Sequence, residues 1–306
     1  MSLSLADIEA AAARIAPFVH RTPVFTSHLV DEWAGATLLL KGEHLQRVGA
    51  FKYRGATNAV QSLADDVAAR GVAAHSSGNH AAALALAAQV RGVPAHVVMP
   101  TNTPAVKRAA VLAYGARIVD CEPTEAARVA TLRDVVAATG AVEIHPFDND
   151  HVIAGAGTAA RELLEEVADL DVIVAPVGGG GLLSGTSLTA NGRALVYGAE
   201  PEGADDAARS LAAGTREPQL APNTICDGLR TSLSDRTFAI VSRHVEAIMT
   251  VPDHETLDAL AMLRSRTKQV VEPSAAIAVA AVRRTPALHG KRVGVILSGG
   301  NYDPTP

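Results

Sequence analysis

Short apolar runs alternate with longer stretches of helical pattern along the 306 residues of this chain. The runs are Val72–His75, Ala95–Met99, Arg117–Cys121, Val142–His145, Val172–Pro176, Ala194–Ala199 and Val293–Leu297. Between them lie Asn79–Arg91, Pro104–Tyr114, Thr124–Ala138, Ile153–Ala168, Ala204–Ala212 and His254–Thr267. Strands separated by helices of this length predict an α/β fold with parallel sheets and crossover helices.

In open sheets of that kind, ligands sit outside the carboxyl ends of the strands. Chemistry is therefore expected after His75, after Pro176 and after Leu297. The length suggests about two domains. Pro100–Pro104 and His145–Asp150 are the candidate crossings between them. The sequence contains no repeat, low-complexity tract or long linker.

Composition narrows the function. Hydrophobic residues make up 48%, enough for a real core, while aromatics are only 3%. Stacking platforms for single-stranded nucleic acid are thus disfavoured. Lys and Arg total 27 against 32 Asp and Glu, a net charge of 27 − 32 = −5, with no basic cluster to attract nucleic acid. The two cysteines, Cys121 and Cys226, suggest neither a disulfide framework nor a metal pair. The first residues carry Asp7 and Glu9 and do not read as a secretory signal. Charges or glycines interrupt each apolar run before it could span a bilayer. The expectation is a soluble cytoplasmic protein with no nucleic-acid or membrane partner.

Five segments carry candidate chemistry. Lys52 follows the apolar run Thr37–Leu40 and lies between Phe51 and Tyr53. Partial desolvation there would lower its pKa and free a nucleophilic amine, although most lysines are solvated surface charges. Gly178-Gly179-Gly180-Gly181-Leu182 follows a strand and opens a helix. Its N–H groups could converge on a phosphate, or it could be a flexible turn. Ser76-Ser77-Gly78-Asn79-His80 reads either as a helix cap or as a small carboxylate cradle. Ser298-Gly299-Gly300-Asn301 reads as a terminal turn or offers the Ser298 hydroxyl to a ring nitrogen. The acidic stretch Glu200–Asp206 is a solvated face or a set of hard oxygen ligands. No His-Glu-x-x-His, Gly-x-Ser-x-Gly, Cys-x-x-Cys, Gly-x-Gly-x-x-Gly or Walker loop occurs, which disfavours several other enzyme classes.

Together these segments resemble the fold-type II pyridoxal-phosphate enzymes, in the serine/threonine dehydratase and serine racemase branch. The resemblance runs through Lys41-Gly42-Glu43, Gly49–Ala56, Ser76–His80, His145-Pro146-Phe147-Asp148, Val152-Ile153-Ala154-Gly155, Gly178–Leu182 and Ser298–Asn301. It implies two open, twisted, mostly parallel sheets with helices on both faces, like the tryptophan synthase β fold. Residues 1–66 and 149–306 would form a large cofactor-binding domain, and 67–148 a smaller capping domain. Lys52 would hold pyridoxal phosphate covalently. Gly178, Gly179, Gly180, Gly181 and Leu182 would bind its phosphate, Asn79 its 3-oxygen and Ser298 its ring nitrogen, with Phe51 beside the ring. Ser76, Ser77, Gly78, Asn79 and His80 would hold the substrate carboxylate. Ser77 would face Lys52 across the ring, and Arg128 would lie near the substrate. Glu200, the Ala204 carbonyl and Asp206 would bind Mg²⁺, or Ca²⁺ or Mn²⁺. A homodimer is implied as well.

The chain departs from the family at Ala50, where many relatives have Ser. It also has Phe147 and Val129 where eukaryotic racemases carry Asn and an acidic residue. The last two changes lean towards dehydration. The expected activity is removal of water from threonine or serine to give a 2-oxo acid and ammonia. Serine racemase and 3-hydroxyaspartate or phenylserine dehydratase are the alternatives. Arg128 could favour an acidic side chain or be a solvated surface residue.

Overall fold

Residues 3–219 and 221–302 are described in a computed structural model of the chain. Its strands are β1 (Val24–Phe25), β2 (Thr37–Lys41), β3 (Val72–His75), β4 (Ala95–Pro100), β5 (Arg117–Cys121), β6 (Val142–Glu143), β7 (Val172–Pro176), β8 (Leu195–Pro201), β9 (Ala247–Val251) and β10 (Arg292–Ile296). They form a six-stranded sheet, ordered β1-β2-β10-β7-β8-β9, and a four-stranded sheet, ordered β5-β4-β3-β6. The β1–β2 pair is antiparallel; the remaining strand pairs are parallel.

The two-residue period of a strand sends alternate side chains to opposite faces. In the larger sheet Leu38, Leu40, Val172, Val174, Val293 and Val295 pack with the helix Pro273–Arg284. Their neighbours Leu39, Ile173, Ala175 and Ile296 pack with the helices Asp150–Glu166 and Gly181–Ala190. The smaller sheet divides in the same way. Val72, Ala74, Val97 and Met99 meet the helices Asn79–Arg91 and Lys52–Gln61, whereas Ala73 and Val98 meet Leu132 of the helix Glu125–Thr139. Both sheets therefore carry helices on both faces.

The helix that starts at Lys52 sits between the two sheets. It packs backbone to backbone on its neighbour: a Cβ added at Gly155 would come within 2.6 Å of the Arg54 carbonyl oxygen. At the next interface a Cβ on Gly185 would come within 2.5 Å of the Ile153 carbonyl oxygen. Larger residues would push these three helices apart. Below the Lys52 helix, the fully buried Arg54 holds Glu43 through Nε at 2.7 Å and Glu162 through Nη1 at 2.7 Å. Lys41, also fully buried, closes the network on Glu162 at 2.6 Å. Two buried cations thus balance two buried carboxylates, the arrangement that lets charge persist in a core.

The structure adjusts several expected boundaries. The segment after β4 leads into the helix Ala105–Ala113 and then β5 of the same sheet, so Pro100–Pro104 is not a crossing between units. The strand expected over Val142–His145 ends as β6 at Glu143. There the chain turns, with His145 Nδ1 accepting from the Asp148 N–H at 2.9 Å. The following helix starts at Asp150, where the Asn149 side chain caps the Val152 N–H at 3.1 Å.

Candidate active site

The ends of β10, β3 and β7 converge on the start of the Lys52 helix. Ala50 forms an isolated bridge with Gly299, just past β10. The Phe51 N–H donates to the Ser298 carbonyl at 2.9 Å. These bonds fix where Lys52 leaves the backbone. Its Nζ donates to the Pro146 carbonyl oxygen at 2.8 Å. Burial lowers the Lys52 pKa to about 8, against the opposing pull of the Glu272 charge. An amine with that pKa is far easier to deprotonate than a solvated lysine.

The glycine run after β7 is buried throughout. Among the described residues, the N–H groups of residues 178–183 donate to no acceptor; the first bonded one is that of Ser184, to the Gly180 carbonyl. Unpaired N–H groups at a helix start carry a positive partial charge and suit a phosphate. Gly180 has φ +84°, a left-handed conformation that favours glycine. A Cβ at Gly179 would fall 2.3 Å from the Phe147 ring. The run is therefore a shaped cradle whose wall is Phe147, one residue past the carbonyl that holds Lys52.

Opposite lies a cluster built from three distant segments. Asn79 Nδ2 donates to Glu272 Oε1 at 3.0 Å, and Asn79 Oδ1 accepts from Asn301 Nδ2 at 2.8 Å. The Asn301 N–H donates to Glu272 Oε2 at 3.2 Å. Burial pushes the Glu272 carboxyl up to about 7. Ser298 is buried, and its hydroxyl reaches the Ser274 carbonyl oxygen only at 3.4 Å. That weak bond leaves the hydroxyl free to serve a ring nitrogen. Glu272 had no signal in the sequence beyond preceding a proline at a helix start, where an acidic residue reads as an ordinary cap.

The Ser76–His80 segment is split in its orientation. Ser76, Ser77, Gly78 and Asn79 are half-buried between β3 and the helix. A Cβ at Gly78 would meet nothing within 4 Å, so the backbone there borders open space. The His80 ring instead turns inward, with Nε2 2.9 Å from the Ile144 carbonyl oxygen. Burial, with the Lys52 charge adding to it, lowers its pKa to about 3.

Arg128 lies half-buried on the helix Glu125–Thr139, and its Nε is buried without a hydrogen-bond partner among the described residues. His75, at the end of β3, is held neutral mainly by burial and also by the Arg128 charge. The His75 and His145 rings meet edge-on at 6.3 Å, and His145 meets Phe147 at 4.6 Å. The Arg128 charge thus reaches His75, whose ring is linked through His145 to the cradle wall.

Glu200 and Asp206 lie behind the cradle and are fully buried. Glu200 accepts the Ala207 and Ala208 N–H groups at 2.9 and 2.8 Å. Asp206 Oδ2 accepts the Leu233 N–H at 3.2 Å, while its Oδ1 is buried without a partner among the described residues. Burial pushes Glu200 up to about 8 and Asp206 up to about 6. Among the described residues neither joins an ion pair, and no group of three or more His, Cys, Asp or Glu side chains gathers there. Two uncompensated carboxylates and the buried Ala204 carbonyl fit a hard divalent cation. Leu233 links this pair to the cradle, because a Cβ at Gly180 would lie 2.6 Å from its Cδ2.

The family model described as "Pyridoxal-phosphate dependent enzyme" matches residues 15–299, and the chain belongs to that family. Within it, the chain is 48% identical to a β-hydroxyaspartate dehydratase of Paracoccus denitrificans (strain Pd 1222), covering 97% of this chain and 96% of the relative. Maize serine racemase superposes with a TM-score of 0.97 at 44% identity, covering 99% of this chain and 95% of that one. A threonine deaminase from T.th. superposes with a TM-score of 0.94 at 47% identity, covering 99% of this chain and 100% of that one. These relatives place the chain among the dehydratases and racemases of amino acids. Among the described residues, no helix is long and apolar enough to cross a membrane.

Proposed function

We propose that this chain is an ammonia-lyase that removes water from a β-hydroxy amino acid, with 3-hydroxyaspartate as its preferred substrate. The observation that carries the reading is the buried Nε of Arg128, which has no hydrogen-bond partner among the described residues and whose charge is felt at His75, at the end of β3. Among the described residues this guanidinium joins no ion pair, which suits it to the second carboxylate of an acidic substrate. The similarity to a β-hydroxyaspartate dehydratase supports it.

Pyridoxal phosphate, when bound, supplies an electron sink for negative charge at the substrate α-carbon. The N–H groups of Gly178–Leu182 would bind its phosphate. Asn79, its amide oriented by Glu272 and Asn301, would face the 3-oxygen, and Ser298 the ring nitrogen, with Phe51 beside the ring. Lys52 Nζ would hold the cofactor at rest. Its free amine would take the α-proton, for which its lowered pKa suits it. Ser76, Ser77, Gly78, Asn79 and the backbone of His80 would hold the α-carboxylate. The β-hydroxyl would leave as water with the proton taken from the α-carbon, and a second water would hydrolyse the released enamine, through its imine, to a 2-oxo acid and ammonia. Glu200, Ala204 and Asp206 would bind Mg²⁺, Ca²⁺ or Mn²⁺ as a structural ion. On this reading 67–148 caps the larger domain formed by 1–66 and 149–306, in a homodimer.

Racemisation is the second reading, favoured by the likeness to maize serine racemase. It needs the Ser77 hydroxyl to return a proton on the face away from Lys52. Dehydration of threonine or serine is the same chemistry without a second carboxylate.

A substrate panel with 2-oxo-acid detection tests the reading on wild type and Arg128→Leu. Loss of one charge-assisted contact should lower kcat/KM for 3-hydroxyaspartate about 10- to 100-fold while leaving serine and threonine within about threefold. A wild type that prefers serine or threonine, or an equal loss on all substrates, contradicts the acidic-substrate assignment. Chiral analysis of serine left after partial turnover reports on racemisation.

A further inference from the structure

Lys107 and Asp227 are 120 residues apart in the chain, yet Lys107 Nζ lies 2.7 Å from Asp227 Oδ2. Lys107 is on the helix Ala105–Ala113, which follows β4 in the smaller sheet. β4 pairs with β3, whose end carries Ser76–Asn79. Asp227 opens the turn Asp227–Leu229, which belongs to the other side of the site. A Cβ at Gly178 would lie 2.9 Å from the Leu229 Cα, so this turn is a wall of the glycine cradle. The Gly228 N–H donates to Ser274 Oγ at 3.1 Å, and the Ser274 carbonyl is the acceptor for Ser298. One end of the ion pair is therefore tied to the cradle and to Ser298, and the other to the sheet that carries Ser76–Asn79.

We propose that Lys107 and Asp227 are a positioning pair whose ion pair clamps the helix Ala105–Ala113 onto the cradle turn and holds the mouth of the site closed over a bound amino acid. The inference rests on the amino-acid lyase reading of the site. Among the described residues, neither side chain hydrogen-bonds to Lys52 or to the residues assigned to cofactor or substrate. Its side chains are 35% and 47% exposed, so the contact can open and re-form, and salt screens it. Both charges also reach Glu272: after burial, Asp227 helps to raise its pKa and Lys107 to lower it. Movement of Lys107 would thus change the field at the carboxylate that holds Asn79.

The test uses the cofactor-loaded enzyme as Lys107→Asp, Asp227→Lys and the doubly swapped protein. KM and kcat are measured with threo-3-hydroxyaspartate and with L-serine, at low and high salt. Each single reversal should raise KM about three- to tenfold at low salt for both substrates alike, with kcat and the visible cofactor band within about twofold of wild type. The double swap should restore KM to within about twofold, and wild-type KM should rise with salt. Single reversals without effect, or a double swap no better than either single, overturn the clamp. If a reversal prevents folding, Lys107→Met and Asp227→Asn carry the same test with a smaller rise in KM, and an unchanged KM in both overturns it. A protein that shows no visible cofactor band at all refutes the lyase reading instead, which keeps the two failures apart.

Discussion

Lys52 Nζ donates to the carbonyl oxygen of Pro146 at 2.8 Å, and Pro146 immediately precedes the Phe147 ring that walls the glycine cradle. The amine and the glycine cradle are thus set by one short segment, His145–Asp148, that comes from neither. A hydrogen bond to a carbonyl favours the ammonium form, yet burial prevails and brings the pKa to about 8.

The rate of cofactor capture should follow that pKa. When cofactor-free protein is mixed with pyridoxal phosphate, the visible band should appear faster as pH rises and level off above about 8, because the neutral amine is the attacking form. A rate that keeps climbing towards about pH 10.5, as for a solvated lysine, contradicts the desolvated site.

Gly179 has no room for a side chain against Phe147. Gly179→Ala should weaken pyridoxal-phosphate binding at least tenfold in a spectrophotometric titration, about 1.4 kcal/mol. Adding Phe147→Ala should recover part of it by removing the clash. Unchanged affinity in Gly179→Ala would show that the phosphate binds elsewhere.

Glu200 and Asp206 should make stability depend on pH and cation together. Both folded-state pKa values lie above the ordinary carboxylate range, so the unfolded chain loses these protons first. Without a cation, stability conferred by the protonated pair is present at low pH and is lost as pH rises through about 4 to 8. A Mg²⁺ bound by the pair would take the place of the protons, so its stabilisation should grow with pH. The expected result is a gain in Tm of about 2 °C or more at pH 8, little gain at pH 5, and none in Asp206→Asn. An equal response to chelator in wild type and Asp206→Asn would discard the cation site.

How far the sequence foretold this depends on the locality of each signal. The strands β3, β4, β5, β7, β8 and β10 were legible because each is a short apolar run between helical stretches. The edge strand β9 was not, since Ala247-Ile248-Met249-Thr250-Val251 is mostly half-buried and follows a charged helix end. The helix Pro273–Arg284 is buried along nearly its whole length and shows no polar face to mark it. The Lys52 helix carries Gly55, Thr57 and Asn58, poor helix formers that only tight packing on Val152 and Gly155 keeps helical. The glycine cradle could be read locally because four glycines in a row need a reason. Glu272 could not, because Asn79 and Asn301, the groups that give it a role, lie 193 and 29 residues away.

The most direct test of the account is chemical trapping at Lys52. The purified protein, loaded with pyridoxal phosphate and reduced with borohydride, is digested and mapped by peptide mass spectrometry, with Lys52→Ala alongside. One pyridoxyl adduct is expected, on the peptide that contains Lys52, with neither adduct nor visible band in Lys52→Ala. An adduct at Lys41, Lys107 or any other lysine, or a band that survives in Lys52→Ala, would contradict it.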